Sequence, residues 1–273
     1  MPLPLSPQVF AITTHLIEEA AGLHYDARDA EILAEKLSSR AAERELDSLL
    51  DYYYFLRYDP EGPRELELLI DTLVVNETYF FREADQLRAL ARSILPSIAK
   101  ARPSLRIWCA ACSTGEEALT LAMILEEHDL LARTEIVASD ISARVLGRAE
   151  AGIYGGRSLR ILDPRDRLRY FVENGDGTVR VRGDLTERVR FRRVNLFDED
   201  RVRALGRFDV ILCRNALIYF RDETVVNLVG RFACSLEPSG LLLVGASESL
   251  LRFGTVLACE EHGGAFFYRK VAE

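Results

Sequence analysis

No stretch of this chain approaches the roughly 18 uninterrupted apolar residues that a helix needs to cross a bilayer. Met1-Pro2-Leu3-Pro4 also has neither the basic end nor the apolar run of a secretory signal. A cytoplasmic protein with no direct membrane insertion is therefore expected. Basic charge is not in excess: 35 Lys and Arg against 43 Asp and Glu leave a formal net charge of -8. That excludes a general nucleic-acid binder, whose affinity rests on Lys and Arg meeting phosphates. The five cysteines are odd in number and widely scattered, so a disulfide framework is not expected and the thiols should be reduced. Cys109 and Cys112 have no second Cys or His pair at ligand spacing, and Cys213, Cys234, Cys259 and His262 stand isolated, so no metal is expected. Internal repeats and low-complexity tracts are missing as well. What is present is an ordinary globular composition, 48% apolar and 29% charged over 273 residues, enough for one α/β domain and a smaller partner.

From Val9 to about Leu73 apolar residues recur at helical spacing: Phe10, Leu16, Ile17 and Ala20; Ile32, Leu33 and Leu37; Leu46, Leu49, Leu50 and Tyr53; Leu66, Leu69, Ile70 and Leu73. Pro60-Glu61-Gly62-Pro63 breaks the array, which reads as a small helical bundle. After Phe80-Phe81-Arg82 another helix runs to about Lys100. The texture then changes to short apolar runs alternating with helices, the pattern of a parallel sheet built from βαβ units. The strands are expected at Leu105 to Cys109, Glu135 to Ser139, Val189 to Val194, Phe208 to Cys213 and Leu241 to Val244. Thr255 to Cys259 and Ala265 to Lys270, joined by Glu260-Glu261-His262-Gly263-Gly264, read as an antiparallel hairpin. Asn174-Gly175-Asp176-Gly177 followed by Thr178-Val179-Arg180-Val181-Arg182 reads as a small inserted β ribbon. The expected fold class is α/β: a doubly wound, mostly parallel Rossmann-like sheet with a C-terminal antiparallel hairpin strand, an N-terminal helical domain and a small inserted β subdomain. The domain reading is 1-73 for the helical part and 74-273 for the sheet part, with the insertion at about 155-188.

In an open α/β sheet, ligands bind beyond the carboxyl ends of the strands. The first such turn, Ala110-Ala111-Cys112-Ser113-Thr114-Gly115, is made of small residues that let backbone approach a ligand. It is not G-x-G-x-x-G, and Glu116-Glu117 at the helix start would repel a phosphate, so a cationic ligand fits better. Such acids could equally just complement the helix dipole. Asp140 closes the second strand, roughly 25 residues past the loop, where an acid suits ribose hydroxyls or caps the following helix. The third strand ends in Asn195-Leu196, an amide for an adenine edge and an apolar cover for its face, and the fourth ends in Cys213-Arg214-Asn215. Trp108-Cys109-Ala110-Ala111-Cys112 also has the look of a thiol-disulfide oxidoreductase motif, although a domain of that kind would be about half this size.

Thr78-Tyr79-Phe80-Phe81-Arg82-Glu83, Cys112-Ser113-Thr114-Gly115-Glu116-Glu117 and Ala138-Ser139-Asp140-Ile141-Ser142 follow one another in the chain, with Ala149-x-x-Gly152-x-Tyr154 in register. Asn195-Leu196, Phe208 to Asn215 with Ile218-Tyr219-Phe220, and Gly245-Ala246-Ser247-Glu248-Ser249-Leu250 complete the series. In content and order these motifs resemble those of the CheR family of chemotaxis receptor methyltransferases, across residues 76 to 250. The resemblance implies S-adenosylmethionine as cofactor and S-adenosylhomocysteine as product, with protein-glutamate O-methylation of chemotaxis-type receptors in signal transduction as the activity. It implies cofactor contacts at Asn76, Thr78, Arg82, Glu116 or Glu117, Asp140, Asn195, Leu196, Arg214 and Asn215.

A glutamate with a pKa of about 4.3 is already ionised at neutral pH, so methyl transfer to it needs orientation and desolvation rather than a general base. Arg82 and Arg214 are the candidates to orient that carboxylate bidentately, and Tyr219 to donate a hydrogen bond or shape the slot. Phe80 and Phe81 are assigned to packing. The expected partner is the cytoplasmic helical region of a receptor, met by a monomer. The family meets its receptors with basic residues of the N-terminal domain, here Lys36, Arg40 and Arg44 at i, i+4 and i+8, with Glu35, Glu43 and Glu45 nearby. Only Val172 to Thr178 joins Tyr170-Phe171 to Val179-Arg180-Val181-Arg182, which resembles the short-loop members that do not use a receptor pentapeptide tether. A catalytically inactive receptor- or cofactor-binding homologue and a small-molecule methyltransferase are the alternatives.

Overall fold

The computed structural model describes residues 2–271, which divide into two compact units. One comprises the chain up to Val75 with Tyr219–Thr224, and the other comprises Asn76–Ile218 with the chain from Val225 onward.

In the helical unit, α1 (Pro7–Ala21), α2 (Ala30–Glu43), α3 (Leu49–Tyr58) and α4 (Gly62–Leu73) pack around Leu16, Ile17, Leu33, Leu37, Tyr52, Leu56, Leu69 and Leu73. Their starts are written locally: the Ser6 and Ser48 hydroxyls accept from Val9 N and Asp51 N, and Pro occupies the first turn of α1 and α4. Most apolar positions of the 3.6-residue pattern turn inward, but Ile32 and Leu50 do not, being 58% and 40% exposed. Polar groups share this core. Glu65 on α4 is fully buried and accepts from Arg40 Nε at 2.9 Å, Arg44 Nε at 2.7 Å and the Tyr52 hydroxyl at 2.9 Å.

The second unit opens with α5 (Ala84–Ala89), a π turn over Leu90–Ile94 and α6 (Leu95–Ala101). The single expected helix is interrupted because Pro96 lacks the N–H an α register needs, and Leu95 N bonds back to Leu90 O instead. Then follow β1 (Leu105–Ala110), α7 (Glu116–Glu127), β2 (Thr134–Asp140), α8 (Ala143–Ala151), β3 (Ile153–Tyr154), α9 (Pro164–Tyr170), β4 (Phe171–Glu173), β5 (Val179–Val181), α10 (Gly183–Thr186) and β6 (Val189–Arg193). The chain ends with α11 (Glu199–Ala204), β7 (Phe208–Cys213), α12 (Asp222–Ser235), β8 (Leu236–Val244), β9 (Leu257–His262) and β10 (Ala265–Lys270).

The seven-stranded sheet runs in the order β6-β2-β1-β7-β8-β10-β9, parallel except for β10, which pairs antiparallel with both β8 and β9. The doubly wound sheet with a C-terminal hairpin is therefore as the sequence reads. The hairpin is tighter than expected: His262 pairs with Ala265, leaving only Gly263-Gly264 as its turn. β3, β5 and β4 form a separate antiparallel sheet. Central strands are buried on both faces, which is why they read as unbroken apolar runs. Trp108 on β1 is fully buried between Phe208 and Phe232, its indole N–H donating to Ser139 Oγ at 2.9 Å. Among the described residues no helix is long and apolar enough to cross a membrane.

Candidate functional site

The polar motif residues of the sheet unit gather where β1, β2, β7 and β8 end, because parallel strands deliver their carboxyl ends to one edge. After β1, Ala111 and Ser113 adopt left-handed φ of 55° and 50°, and Gly115 a φ of 91°. A Cβ on Gly115 would meet Ala149 Cβ at 2.8 Å, so the loop presses on α8 in a way only glycine permits. Asp140 fastens this loop: one oxygen accepts Ser113 N at 2.8 Å and the other Ser142 N at 3.0 Å. Ser113 Oγ is buried and has no hydrogen-bond partner among the described residues, an orphan in a cradle otherwise satisfied.

The paired acids at the start of α7 separate. Glu116 turns to the Thr114 and Ser158 hydroxyls at 2.7 and 2.8 Å, and burial raises its pKa. Glu117 accepts from Arg214 Nη1 at 2.7 Å. Its pKa is also raised, by burial first and then by repulsion from Glu248 and Glu83, with Arg214 opposing. Arg214, whose side chain is only 1% exposed, further donates Nε to Gln86 Oε1 at 2.9 Å and Nη2 to Glu83 Oε2 at 3.2 Å and to the Arg82 carbonyl at 3.1 Å. Burial alone would raise the Glu83 carboxyl, but the Ala246 N–H, the Arg214 charge and the Asn215 amide together hold it below the usual range. Two carboxylates, Glu117 and Glu83, thus share one guanidinium, an acidic excess suited to a cationic ligand.

Thr78 to Glu83 is anchored by Phe80, fully buried edge-to-face against Tyr154 and Phe171 at 4.8 and 4.9 Å. Phe81 N donates to Thr120 Oγ1 at 3.1 Å, and Phe81 and Glu83 both take positive φ, strain of about 1–3 kcal/mol each. This kinked anchor leaves Arg82 half-buried, with one Nη1 bond to the Glu77 carbonyl at 2.9 Å and its plane near the Tyr79 ring.

A profile described as "CheR methyltransferase, SAM binding domain" matches residues 76–262. The chain belongs to the CheR methyltransferase family. Chemotaxis protein methyltransferase 2 of Vibrio cholerae is 37% identical over 247 residues, 87% of this chain and 84% of that protein. The chemotaxis protein methyltransferase of Klebsiella aerogenes is 37% identical over 253 residues, 90% and 85% of the two chains. Chemotaxis protein methyltransferase 1 of Pseudomonas aeruginosa is 33% identical over 250 residues, 88% and 90%. S-adenosylmethionine is accordingly the cofactor of this CheR methyltransferase. The acidic excess and the orphaned Ser113 hydroxyl fit a ligand that carries a cation and hydroxyls.

Within this CheR sheet unit, Glu117, Arg214, Glu83 and Asn215 are joined by hydrogen bonds at the strand ends, Asp140 holds the loop after β1, and the Arg82 and Glu116 side chains meet Glu77 and Tyr79, and Thr114 and Ser158, respectively. Asn195 Oδ1 accepts Phe197 N at 3.0 Å just beyond β6, and Leu196 is buried beside it. Asn76 and Thr78 lie half-buried ahead of the Phe80 anchor, with no side-chain hydrogen bond among the described residues. Arg214 differs from the sequence expectation of a substrate-facing guanidinium: it is buried and its donors are spent on the protein, which makes it an organiser of the site. Tyr219 falls in the other compact unit, where its carbonyl accepts His24 N at 2.9 Å.

The expected basic stripe of α2 is also corrected. Arg40 is 8% exposed and, with Arg44, is turned onto Glu65, while Lys36 Nζ donates to the Thr72 carbonyl at 2.6 Å. Spacing put them on one face, but a buried acid claims that face for packing. Sequence reading missed Glu83 and Glu248 as site groups. The only local signal was that each is an acid within a motif, Thr78 to Glu83 or Gly245 to Leu250. Cys109 and Cys112 are buried free thiols whose pKa burial pushes well up, the reverse of an activated redox pair.

Asp140→Ala should loosen the Ser113 turn, since it removes the acceptor of Ser113 N. Titration calorimetry is expected to show S-adenosylhomocysteine binding weakened about tenfold or more, and an unchanged affinity would remove Asp140 from the site.

Proposed function

We propose that this protein transfers the methyl group of S-adenosylmethionine to glutamate side chains in the cytoplasmic helical region of a chemotaxis-type receptor, acting in the cytoplasm as a monomer. The cofactor supplies a methyl already activated on cationic sulfur. The chain's own residues orient and desolvate. The cofactor contacts are assigned to Asn76, Thr78, Arg82, the acids opening α7, Asp140, Asn195, Leu196 and Asn215. Of the two acids, Glu117 is favoured, because Glu116 is already satisfied by two hydroxyls.

The observation that carries the substrate assignment is the contrast between the two arginines. Arg214 is committed to Glu117, Glu83 and Gln86, whereas Arg82 gives one bond to a carbonyl and keeps the rest of its fork for an incoming carboxylate. It should steer rather than clamp, since the carboxylate loses charge in the transition state. The helical unit, 1-73 in the sequence reading, is assigned to receptor recognition. With Arg40 and Arg44 turned onto Glu65, Lys36 is the residue of that basic set kept as a receptor contact.

The direct test is incubation with methyl-labelled S-adenosylmethionine and receptor-bearing membranes. Base-labile label on receptor-sized bands supports glutamate esterification, and cofactor binding without transfer would favour an inactive binding homologue. In that assay Arg82→Ala should keep its far-ultraviolet spectrum and lose about two orders of magnitude or more in transfer. Full activity in the folded variant would remove Arg82. The inserted sheet is joined by a short β4-to-β5 turn, and no pentapeptide tether is expected to bind it; micromolar affinity in a titration with such a peptide would overturn that reading.

A further inference from the structure

Glu248, in the loop after β8, is buried and is not among the cofactor contacts assigned above. Its Oε2 accepts the backbone N–H of Asn215 at 2.6 Å and of Gly245 at 2.8 Å, and its Oε1 accepts those of Leu217 at 2.8 Å and Ile218 at 3.3 Å. One side chain therefore takes up donors from the loop after β7 and from the loop after β8. These are two segments that leave neighbouring parallel strands and would otherwise each end in unpaired N–H groups.

Two further features accompany that approach. A Cβ on Gly245 would lie 2.7 Å from Glu248 Oε2 and 2.8 Å from Asn215 Nδ2, so the carboxylate can reach in only over a glycine. Asn215 itself is held at a φ of 58°, a left-handed conformation that asparagine tolerates better than most residues and that the surroundings must enforce. The Asn215 amide nitrogen donates to Glu83 Oε1 at 3.3 Å, while Glu83 Oε2 accepts Ala246 N at 3.1 Å. Backbone and amide nitrogen are thus both fixed, and Asn215 Oδ1 accepts no hydrogen bond among the described residues.

We propose that Glu248 is a positioning residue of the cofactor site: by gathering the N–H groups of Asn215, Leu217, Ile218 and Gly245 it holds Asn215 so that Oδ1 stays available to accept from bound cofactor. The proposal rests on the assignment of Asn215 as a cofactor contact. Glu248 touches neither substrate nor cofactor in this role. It acts through Asn215, with Glu83 restraining the same side chain from the opposite direction. A glutamine in its place would offer one acceptor oxygen and turn an NH2 group toward backbone donors, so two of the N–H groups would lose their partner.

The test uses the full chain and S-adenosylhomocysteine as the probe, with affinity read by titration calorimetry for Glu248→Gln, Asn215→Gly and the double variant. Glycine removes the amide while keeping the left-handed backbone inexpensive. Each single variant is expected to weaken binding about tenfold, and the double variant also about tenfold rather than a hundredfold, because both remove the same contact. A purely structural role for Glu248 would give additive losses, and additivity overturns the proposal. So does an unchanged affinity in Glu248→Gln alongside a weakened Asn215→Gly. If Asn215→Gly binds as the wild type does, the contact assignment fails and the proposal with it, while receptor methylation is left to its own assay. Should Glu248→Gln not fold, hydrogen exchange on the wild-type protein decides: slow exchange at Asn215, Leu217 and Gly245 is expected, and rapid exchange there refutes the tie.

Discussion

Arg214→Met is expected to lower the unfolding free energy by about 3–5 kcal/mol, the range for removing one partner from a buried charge cluster. The guanidinium pairs both Glu117 and Glu83, and the methionine would leave these two carboxylates facing each other without it. Glu117 already sits above the usual carboxylate range in the wild type. Arg214 opposes that rise by charge and hydrogen bond, so without it the folded pKa rises further. A carboxyl with a raised folded pKa costs stability above that pKa and regains it as protons bind. The deficit should therefore be largest at neutral pH and shrink in mildly acidic buffer. Lysine should recover only part of the loss, because a single ammonium cannot reach Gln86, Glu117 and Glu83 together. Denaturant titrations of the three proteins at two pH values would read this out; a methionine variant within about 0.5 kcal/mol of wild type would show that the cluster carries no such strain.

A loss of similar size, about 3–5 kcal/mol, is expected for Glu65→Ala in the helical unit. Glu65 is the acceptor for Arg40, Arg44 and the Tyr52 hydroxyl, and Arg40 is itself 8% exposed. Among the described residues, removing the carboxylate leaves the buried guanidinium with the exposed Glu43 as its ion-pair partner and the Tyr52 hydroxyl without its acceptor. Glu65→Gln should cost less, since its amide oxygen can still accept one of these donors. Far-ultraviolet circular dichroism during denaturant titration measures both, and near-wild-type behaviour of the alanine variant would refute a structural role for the α2 arginines.

These two clusters mark where reading the sequence stops. The helices of the first unit were legible because Leu16, Ile17, Leu33, Leu37, Leu69 and Leu73 repeat at the helical period and each faces the core. The strands were legible as apolar runs because both sheet faces are covered, and the hairpin because Gly263-Gly264 punctuates it. Periodicity reports that Lys36, Arg40 and Arg44 share a face but not which way the face points. The decisive residue, Glu65, lies 25 positions beyond Arg40 and carries no pattern linking the two. Arg214 poses the same problem on a longer scale, since its partners come from residues 128 positions away at Gln86 and 97 away at Glu117. An arginine in a motif is visible to a reader; whether its donors are spent is a property of packing. The π turn ahead of Pro96 escaped for a related reason, because the proline signalled a break while the chain absorbed it by a change of register.

Trp108 is the one tryptophan of the sequence and is fully buried in β1, between Phe208 and Phe232. Its fluorescence therefore reports on the sheet unit alone, whereas circular dichroism sums over the helices of both units. Recorded together on Glu65→Ala, the two signals should part company: ellipticity lost from the helical bundle at low denaturant while the indole emission holds, and the emission shifting only when the strands beneath the cofactor loop come apart.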